Sequence, residues 1–178
     1  MIAAIFDTET TGLIKNSAQP LAKQPHIIEF SGLLVDTETD EELGALDFLC
    51  DPGIAITAEI TKITGITQAM VKGTKPFADR QKEVDAFFAQ ANAVAAHNLS
   101  YDQSMVEFEV ARQGKLFAWP ERRICTVEAT EHLKGHRLSL AALHELLFGE
   151  TFADAHRAKN DVAALRRCFI ELIKREVI

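Results

Sequence analysis

Residues 2–12 read Ile2-Ala3-Ala4-Ile5-Phe6-Asp7-Thr8-Glu9-Thr10-Thr11-Gly12, and this stretch decides the fold. Residues 2–8 form a short apolar run with polar residues beyond it, which predicts a buried strand. Side chains alternate faces along a strand, so Asp7 and Glu9 leave its end on the same side. Two carboxylates held that close push each other's ionisation up unless a cation neutralises them. An all-oxygen donor set selects hard cations such as Mg²⁺ or Mn²⁺. Thr10, Thr11 and Gly12 then supply a tight turn whose backbone N–H groups can face a phosphate or nucleotide.

The chain contains its own control for this motif. The same four residues recur at Asp36-Thr37-Glu38-Thr39, so the tetrapeptide alone defines nothing. The second copy follows a longer apolar run and continues into Asp40-Glu41-Glu42, which reads as a solvated hairpin turn. Context makes the first copy the candidate site.

Working outward, residues 26–35 (HIIEFSGLLV) and 43–50 (LGALDFLC) predict two more strands joined by the acidic turn 36–42. Thr57 is placed to cap a short helix with Ile60 and Ile63 on one face and Gly65 at its end. Pro76 opens a helix running to residue 91, with Phe77, Val84, Phe87 and Phe88 at helical spacing. A strand over 92–97, a helix over 100–113 stopped by Gly114, and a strand over 122–127 follow. Ser139 caps a helix through residue 148, and a last long helix runs to about residue 177. Three strands first, then strands alternating with helices, predict an α/β fold: a five-stranded mixed sheet with an antiparallel edge, flanked by helices.

Composition narrows the function classes. At 178 residues, with no repeat, low-complexity block or linker, the expectation is one domain over 1–178. Twenty-six acidic against nineteen basic residues leave a net charge of −7, which excludes a protein that grips nucleic acid through a basic face. It leaves open one that meets phosphates through bound cations. Cys50, Cys125 and Cys168 are scattered and odd in number, which fits a reducing compartment rather than a disulfide framework. No apolar run reaches the roughly 18 residues of a membrane span, and the N-terminus lacks the basic start of a signal peptide. A cytoplasmic protein with no membrane partner is expected.

Two further stretches carry chemistry. In Ala96-His97-Asn98-Leu99-Ser100-Tyr101-Asp102 a strand ends at His97 and Asp102 falls in the first turn of the next helix. Alone, Asp102 reads as a helix-start acid favoured by the macrodipole. Ligands of open α/β sheets gather outside strand ends, however, and that places Asp102 beside the first motif. In Ala155-His156-Arg157-Ala158-Lys159-Asn160-Asp161 the spacing does not put the histidine and Asp161 on one helix face. His156 is therefore expected in the loop or first turn and Asp161 inside the helix; by themselves they read as a surface histidine and a solvated aspartate. His132 and His136 lie near Cys125, but Gly135 interrupts their helix and a fourth zinc ligand is missing. His26 and His144 read as surface or core-edge histidines, and Trp119-Pro120 as a packed loop anchor. Ser100 has no histidine partner in an elbow motif, which argues against a hydrolase triad.

Taken in order, FDTETTG, HIIEFSGLLV, ITGI at 63–66, AHNLSYD, SLAAL at 139–143 and AHRAKNDVAAL resemble the DEDDh family of 3′–5′ exonucleases. The likeness spans residues 2–172 and is nearest to the proofreading subunits of bacterial replicative polymerases and to exodeoxyribonuclease X. The resemblance implies a ribonuclease H-like sheet. It implies that Asp7, Glu9, Asp102 and Asp161 hold two divalent cations, Mg²⁺ or Mn²⁺, and that His156 is the general base. It places Thr10, Leu13 and Asn98 against the terminal nucleotide and Glu59 in contact with substrate; Thr64 stands where the nearest relatives often carry histidine. Four carboxylates against two divalent cations leave a near-neutral site, which reconciles the acidic chain with a phosphodiester substrate.

The implied activity is metal-dependent removal of nucleoside 5′-monophosphates from a DNA 3′ end, single-stranded or frayed, in proofreading or repair. The same chemistry on RNA is the alternative, decided by contacts to the 2′ position that the sequence does not locate. A non-catalytic module binding strand ends or a polymerase is the reading from another class; loss of an acid or of His156 would mark it, and all five residues are present. A DNA polymerase remains a candidate partner. The sequence stops just after its last helix, so docking through a folded surface, or independent action, is expected over a flexible tether.

Overall fold

The computed structural model describes residues 1–152 and 157–178. The chain opens with β1 (Ile2–Thr10), β2 (Ile27–Asp36) and β3 (Glu42–Leu49), then α1 (Ala58–Thr64), α2 (Gln68–Val71) and α3 (Phe77–Phe88). Strands and helices then alternate: β4 (Ala93–Ala96), α4 (Leu99–Ala111), β5 (Arg122–Cys125), α5 (Thr126–Lys134), α6 (Leu140–Phe148) and α7 (Ala158–Lys174). The sheet runs β3-β2-β1-β4-β5, antiparallel on the β2 and β3 side and parallel on the other, so the mixed sheet expected from the sequence is the one observed.

The N-terminal strand lies at the centre of this sheet, and Ala3, Ala4, Ile5 and Phe6 are all fully buried. Its alternation divides the molecule into two apolar layers. Ala4 and Phe6 face α3 and α4, where Phe30, Phe87, Phe88, Val106 and Val110 complete an aromatic-rich core. Ala3 and Ile5 face α7, against Val162, Leu165 and Phe169. Gly32 on β2 is required by packing, because a Cβ there would come within 2.6 Å of the Phe87 ring. α1 has the cap expected of it: the Thr57 side chain accepts from the Ile60 N–H, and Gly65 ends the helix at φ 71°.

Three expectations are corrected. The fifth strand stops at Cys125 rather than 127, and α5 begins at once. Buried Thr126 turns its hydroxyl to His97 Nδ1 (2.9 Å) and the Ala96 carbonyl (3.4 Å), pairing that a short β-branched run does not reveal. α3 and α7 each end three residues earlier than the apolar pattern suggested, at Phe88 and Lys174; beyond α7, Glu176 takes a positive φ of 56°. His144 is fully buried rather than at the core edge: Nδ1 donates to the Glu150 carbonyl (2.8 Å), and the ring packs on Phe148 and Phe152.

Candidate active site

The same alternation that builds the core builds the site. Asp7 and Glu9 continue the Ala3–Ile5 face, so they emerge toward α7 at the C-terminal end of the central strand. Asp161 lies in the first turn of α7. One carboxylate oxygen from each of Asp7, Glu9 and Asp161 lies within 4.8 Å of the others. Thr8 and Thr10 continue the opposite face and meet α4. Asp102, in the first turn of α4 and 3% exposed, accepts from the Thr8 N–H (3.1 Å) and the Thr8 hydroxyl (2.7 Å) through Oδ1. The Thr10 hydroxyl, the Tyr101 hydroxyl and the Gly12 carbonyl form a triangle of 2.6–2.9 Å contacts that fixes the turn after the strand.

Gathering these acids costs free energy, and their titration records it. Burial first, then the charges of Asp102, Glu9, Asp161 and Glu29, hold the Asp7 carboxyl well above the usual carboxylate range. Burial, then Asp161 and Glu29, push Glu9 up to about 8. Burial raises Asp102 to about 7 against the opposing hydrogen bonds from Thr8. Burial also pushes Tyr101 up to about 12, so it stays a neutral hydroxyl. A set of clustered oxygen donors whose own charges resist ionisation is chemically matched to hard divalent cations, which remove the repulsion.

A cleft of about 850 Å³ opens beside the cluster, and its walls include Glu9, Thr10, Leu13, Lys15, Lys23, Glu59, Ile63, Thr64 and Tyr101. Of the residues singled out for substrate, Thr10, Leu13, Glu59 and Thr64 therefore share one cavity. Leu13 projects into it with 77% of its surface exposed. Thr64 is buried and its hydroxyl is engaged locally, donating to the Ile60 carbonyl (3.0 Å) and accepting from the Ile66 N–H (3.1 Å). Asn98 is exposed at the start of α4 in the left-handed region (φ 77°), a conformation disfavoured for a residue with a Cβ that recurs at functional sites. His156, the expected base, lies outside the described residues.

Sequence reasoning missed several residues that shape the site. Thr8 and Tyr101 bind the acids and the turn through polar contacts that depend on how β1 and α4 meet. Glu29 sits directly opposite Glu9 in the β1–β2 register and is paired with Arg157 at 2.7 Å. A lone acid inside the apolar run HIIEFSGLLV was the available signal, because a charge that a strand buries requires a partner.

A five-stranded mixed sheet with acids gathered at the C-terminal end of its central strand is a candidate site for phosphoryl chemistry. Residues 4–169 match the family described as Exonuclease, of the RNase T type; the chain belongs to that family and is a nuclease enzyme. It is 26% identical over 175 residues to the PolC-type DNA polymerase III of Caldanaerobacter subterraneus subsp. tengcongensis, covering 96% of this chain and 11% of that protein. It is 28% identical over 171 residues to a DNA polymerase III subunit epsilon-like protein of Rhodobacter capsulatus, covering 95% of this chain and 23% of that one. The chain thus spans between about a tenth and a quarter of the length of these curated relatives.

Among solved structures, the nuclease domain of 3′hExo, a DEDDh family member bound to rAMP, superposes with a TM-score of 0.81 at 18% identity, over 98% of this chain and 92% of that one. Exonuclease X in complex with 5′ overhanging duplex DNA gives 0.69 at 22% identity, over 97% and 92%. The fold is that of the DEDDh exonucleases. Divalent metal ions are the general requirement of this family, and the Asp7–Glu9–Asp161 donor set fits them. Among the described residues, no helix is long and apolar enough to cross a membrane.

Proposed function

We propose that this chain is a metal-dependent 3′–5′ exonuclease that removes nucleoside 5′-monophosphates from DNA 3′ ends. The observation that carries the reading is the convergence of Asp7, Glu9 and Asp161 within 4.8 Å at the edge of a cleft, with buried Asp102 beside them. Asp7, Glu9, Asp102 and Asp161 would hold two Mg²⁺ or Mn²⁺ ions. When bound, these cations lower the pKa of a water and stabilise charge on the attacking and leaving oxygens. His156 would take the proton of that water, a task suited to a group titrating near neutrality.

The rest of the cleft supplies orientation. Thr10, Leu13 and Asn98 would lie against the terminal nucleotide, and Glu59 would touch substrate. Lys15 and Lys23 line the same cavity and suit phosphates upstream of the terminal residue. The same cavity thus carries the acids Glu9 and Glu59 and the bases Lys15 and Lys23. The DNA polymerase III names of the relatives support action beside a polymerase, in proofreading or repair, and favour DNA over RNA. The rAMP bound to 3′hExo keeps RNA as the second substrate to test.

The test is incubation of 5′-labelled single-stranded DNA and matched RNA with Mg²⁺, Mn²⁺ or a chelator, beside Asp7→Ala and His156→Ala. The expected result is a metal-dependent ladder shortening from the 3′ end, faster on DNA and lost in both variants. Faster shortening of RNA moves the substrate to RNA. Intact strands under every metal condition overturn the catalytic reading.

A further inference from the structure

Beside the four acids of the proposed chemistry lies a fifth carboxylate, itself buried, that this chemistry does not use. Glu29 on β2 lies opposite Glu9, and its side chain is 8% exposed. Like charges directly opposite on neighbouring strands repel, and a buried carboxylate without partners is costly. Glu29 finds its partners at the start of α7. Arg157 Nη2 donates to Oε1 at 2.7 Å, and Arg157 Nε lies 3.3 and 3.2 Å from Oε1 and Oε2. The Ala158 N–H, at a fully buried residue, donates to Oε2 at 3.0 Å.

This arrangement is a helix cap supplied from another element. Arg157 occupies the N-cap position of α7 but makes no side-chain cap of its own, so the Glu29 carboxylate from the sheet takes that place. One turn on, the Asp161 N–H donates to the Arg157 carbonyl at 3.0 Å, so Asp161 is one hydrogen-bonded turn away from the fork. Asp161 belongs to a cluster whose like charges act to separate α7 from β1. The Glu29–Arg157 fork opposes that separation beside Glu9.

We propose that Glu29 and Arg157 are positioning residues that set how closely Asp161 approaches Asp7 and Glu9, and thereby how tightly the site binds divalent cations. The inference rests on the proposed metal-dependent function, but its test needs no nucleic acid. α7 provides its own control. Farther along the helix, Arg166 pairs with Asp40 (3.1 Å) and Glu42 (3.3 Å), fastening α7 to the β2–β3 hairpin on the surface. If any loosening of α7 weakened the site, breaking this pair would do so as well.

The experiment is direct Mn²⁺ binding by calorimetry, and by the electron paramagnetic resonance of free Mn²⁺, on the full chain and its variants. Glu29→Gln and Arg157→Gln are each expected to weaken Mn²⁺ binding about 10–100-fold, the usual cost of losing a group that orients a metal ligand. The double variant should be no weaker than the worse single one, because the two side chains act as a unit. Arg157→Lys, which keeps the charge but not the planar fork, should recover part of the loss. Arg166→Gln should lower the melting temperature and leave Mn²⁺ affinity within about twofold, as for a surface pair.

Unchanged Mn²⁺ affinity in Glu29→Gln and Arg157→Gln, with a wild type that binds Mn²⁺, overturns the inference and leaves the nuclease reading intact. Equal weakening by Arg166→Gln overturns it too, reducing the fork to general docking. Weakened binding in a chain that degrades no nucleic acid supports the inference while the substrate reading falls. A wild type that binds no Mn²⁺ overturns both. Should Glu29→Gln not fold, Arg157→Gln decides the matter, since its side chain is 38% exposed and its loss removes little core packing.

Discussion

Asp-Thr-Glu-Thr occurs twice in this chain, at 7–10 and at 36–39, and the two copies have opposite chemistry. At the first, burial and neighbouring acids hold Asp7 far above the usual carboxylate range, and Glu9 faces Glu29 across the ladder. At the second, Asp36 is pulled below its ordinary value, first by the Glu38 N–H that it accepts at 2.9 Å and also by the chain's own amino terminus. Glu38, 83% exposed, pairs with that amine at 3.2 Å. Identical residues are part of a crowded acidic cluster or an ordinary turn according to whether the strand beneath them lies at the sheet's centre and what the register sets opposite.

The sharpest way to break this comparison is to neutralise one aspartate in each copy. Asp7→Asn is expected to lower the hydrolytic rate about 10³-fold or more, because a bound cation contributes several kcal/mol to transition-state charge stabilisation. Asp36→Asn should stay within about twofold of wild type, as surface substitutions do. Single-turnover rates at saturating Mg²⁺ decide it. A tenfold loss in Asp36→Asn would mean that the hairpin communicates with the site.

A second prediction turns on pH. Asp102 at about 7 and Glu9 at about 8 titrate well above their ordinary 3.8 and 4.5. Both groups are raised on folding, so between those ordinary values and 7–8 the folded chain holds protons that the unfolded chain has released. Stability of the metal-free protein therefore falls as pH rises through that window, by up to about 1.4 kcal/mol per pH unit for each proton held. Saturating Mg²⁺ should offset the fall, contributing about 2.7 kcal/mol at a hundred times its Kd. Melting curves at pH 6 and 8.5, with chelator and with Mg²⁺, test this; a metal-free melting temperature that rises with pH would falsify it.

The same repulsion predicts that Asp7→Asn, while inactive, melts higher than wild type without metal at pH 8, by about 2–4 °C for each kcal/mol relieved. An unchanged or lower melting temperature would mean that the acids are already compensated within the protein. A site that costs stability in the metal-free chain is where local rules are expected to fail, and it marks the limit of what the sequence reveals.

Strand alternation was enough to place Asp7 and Glu9 together, because periodicity along one strand is a local property. The distinction between the two tetrapeptides was also legible, from the apolar run beneath one and the acidic run after the other. The strand-end rule put Asp102 beside the first motif, but its role needed the family resemblance, since a buried aspartate bonded to Thr8 and a solvated helix-start acid look alike in one dimension. Glu29 was marked only as a lone acid in an apolar run, and its pairing with Arg157 was not legible: 128 residues separate them, and only the β1–β2 register and the docking of α7 bring them together. The strand-to-helix change at Thr126 was hidden for a similar reason, its hydroxyl being satisfied by His97 from a neighbouring strand end.

The smallest predicted effect lies at the second copy. Asp36 Oδ1 closes the turn through the Glu38 N–H, and the amino terminus stands 3.6 Å from it, but the group is solvated and the amine has Glu38 as a second partner. Asp36→Ala should lower the melting temperature by only about 2 °C, consistent with loss of one exposed turn bond in a chain of this length. Because Asp36 is ionised at lower pH in the folded chain than in the unfolded one, its contribution is present at neutral pH and disappears on acidification below its ordinary 3.8. The gap between wild type and Asp36→Ala should therefore close as pH falls toward 3, while the gap between wild type and Asp7→Asn opens as pH rises toward 8. Parallel pH dependences in the two variants would mean that position in the sheet does not separate the copies.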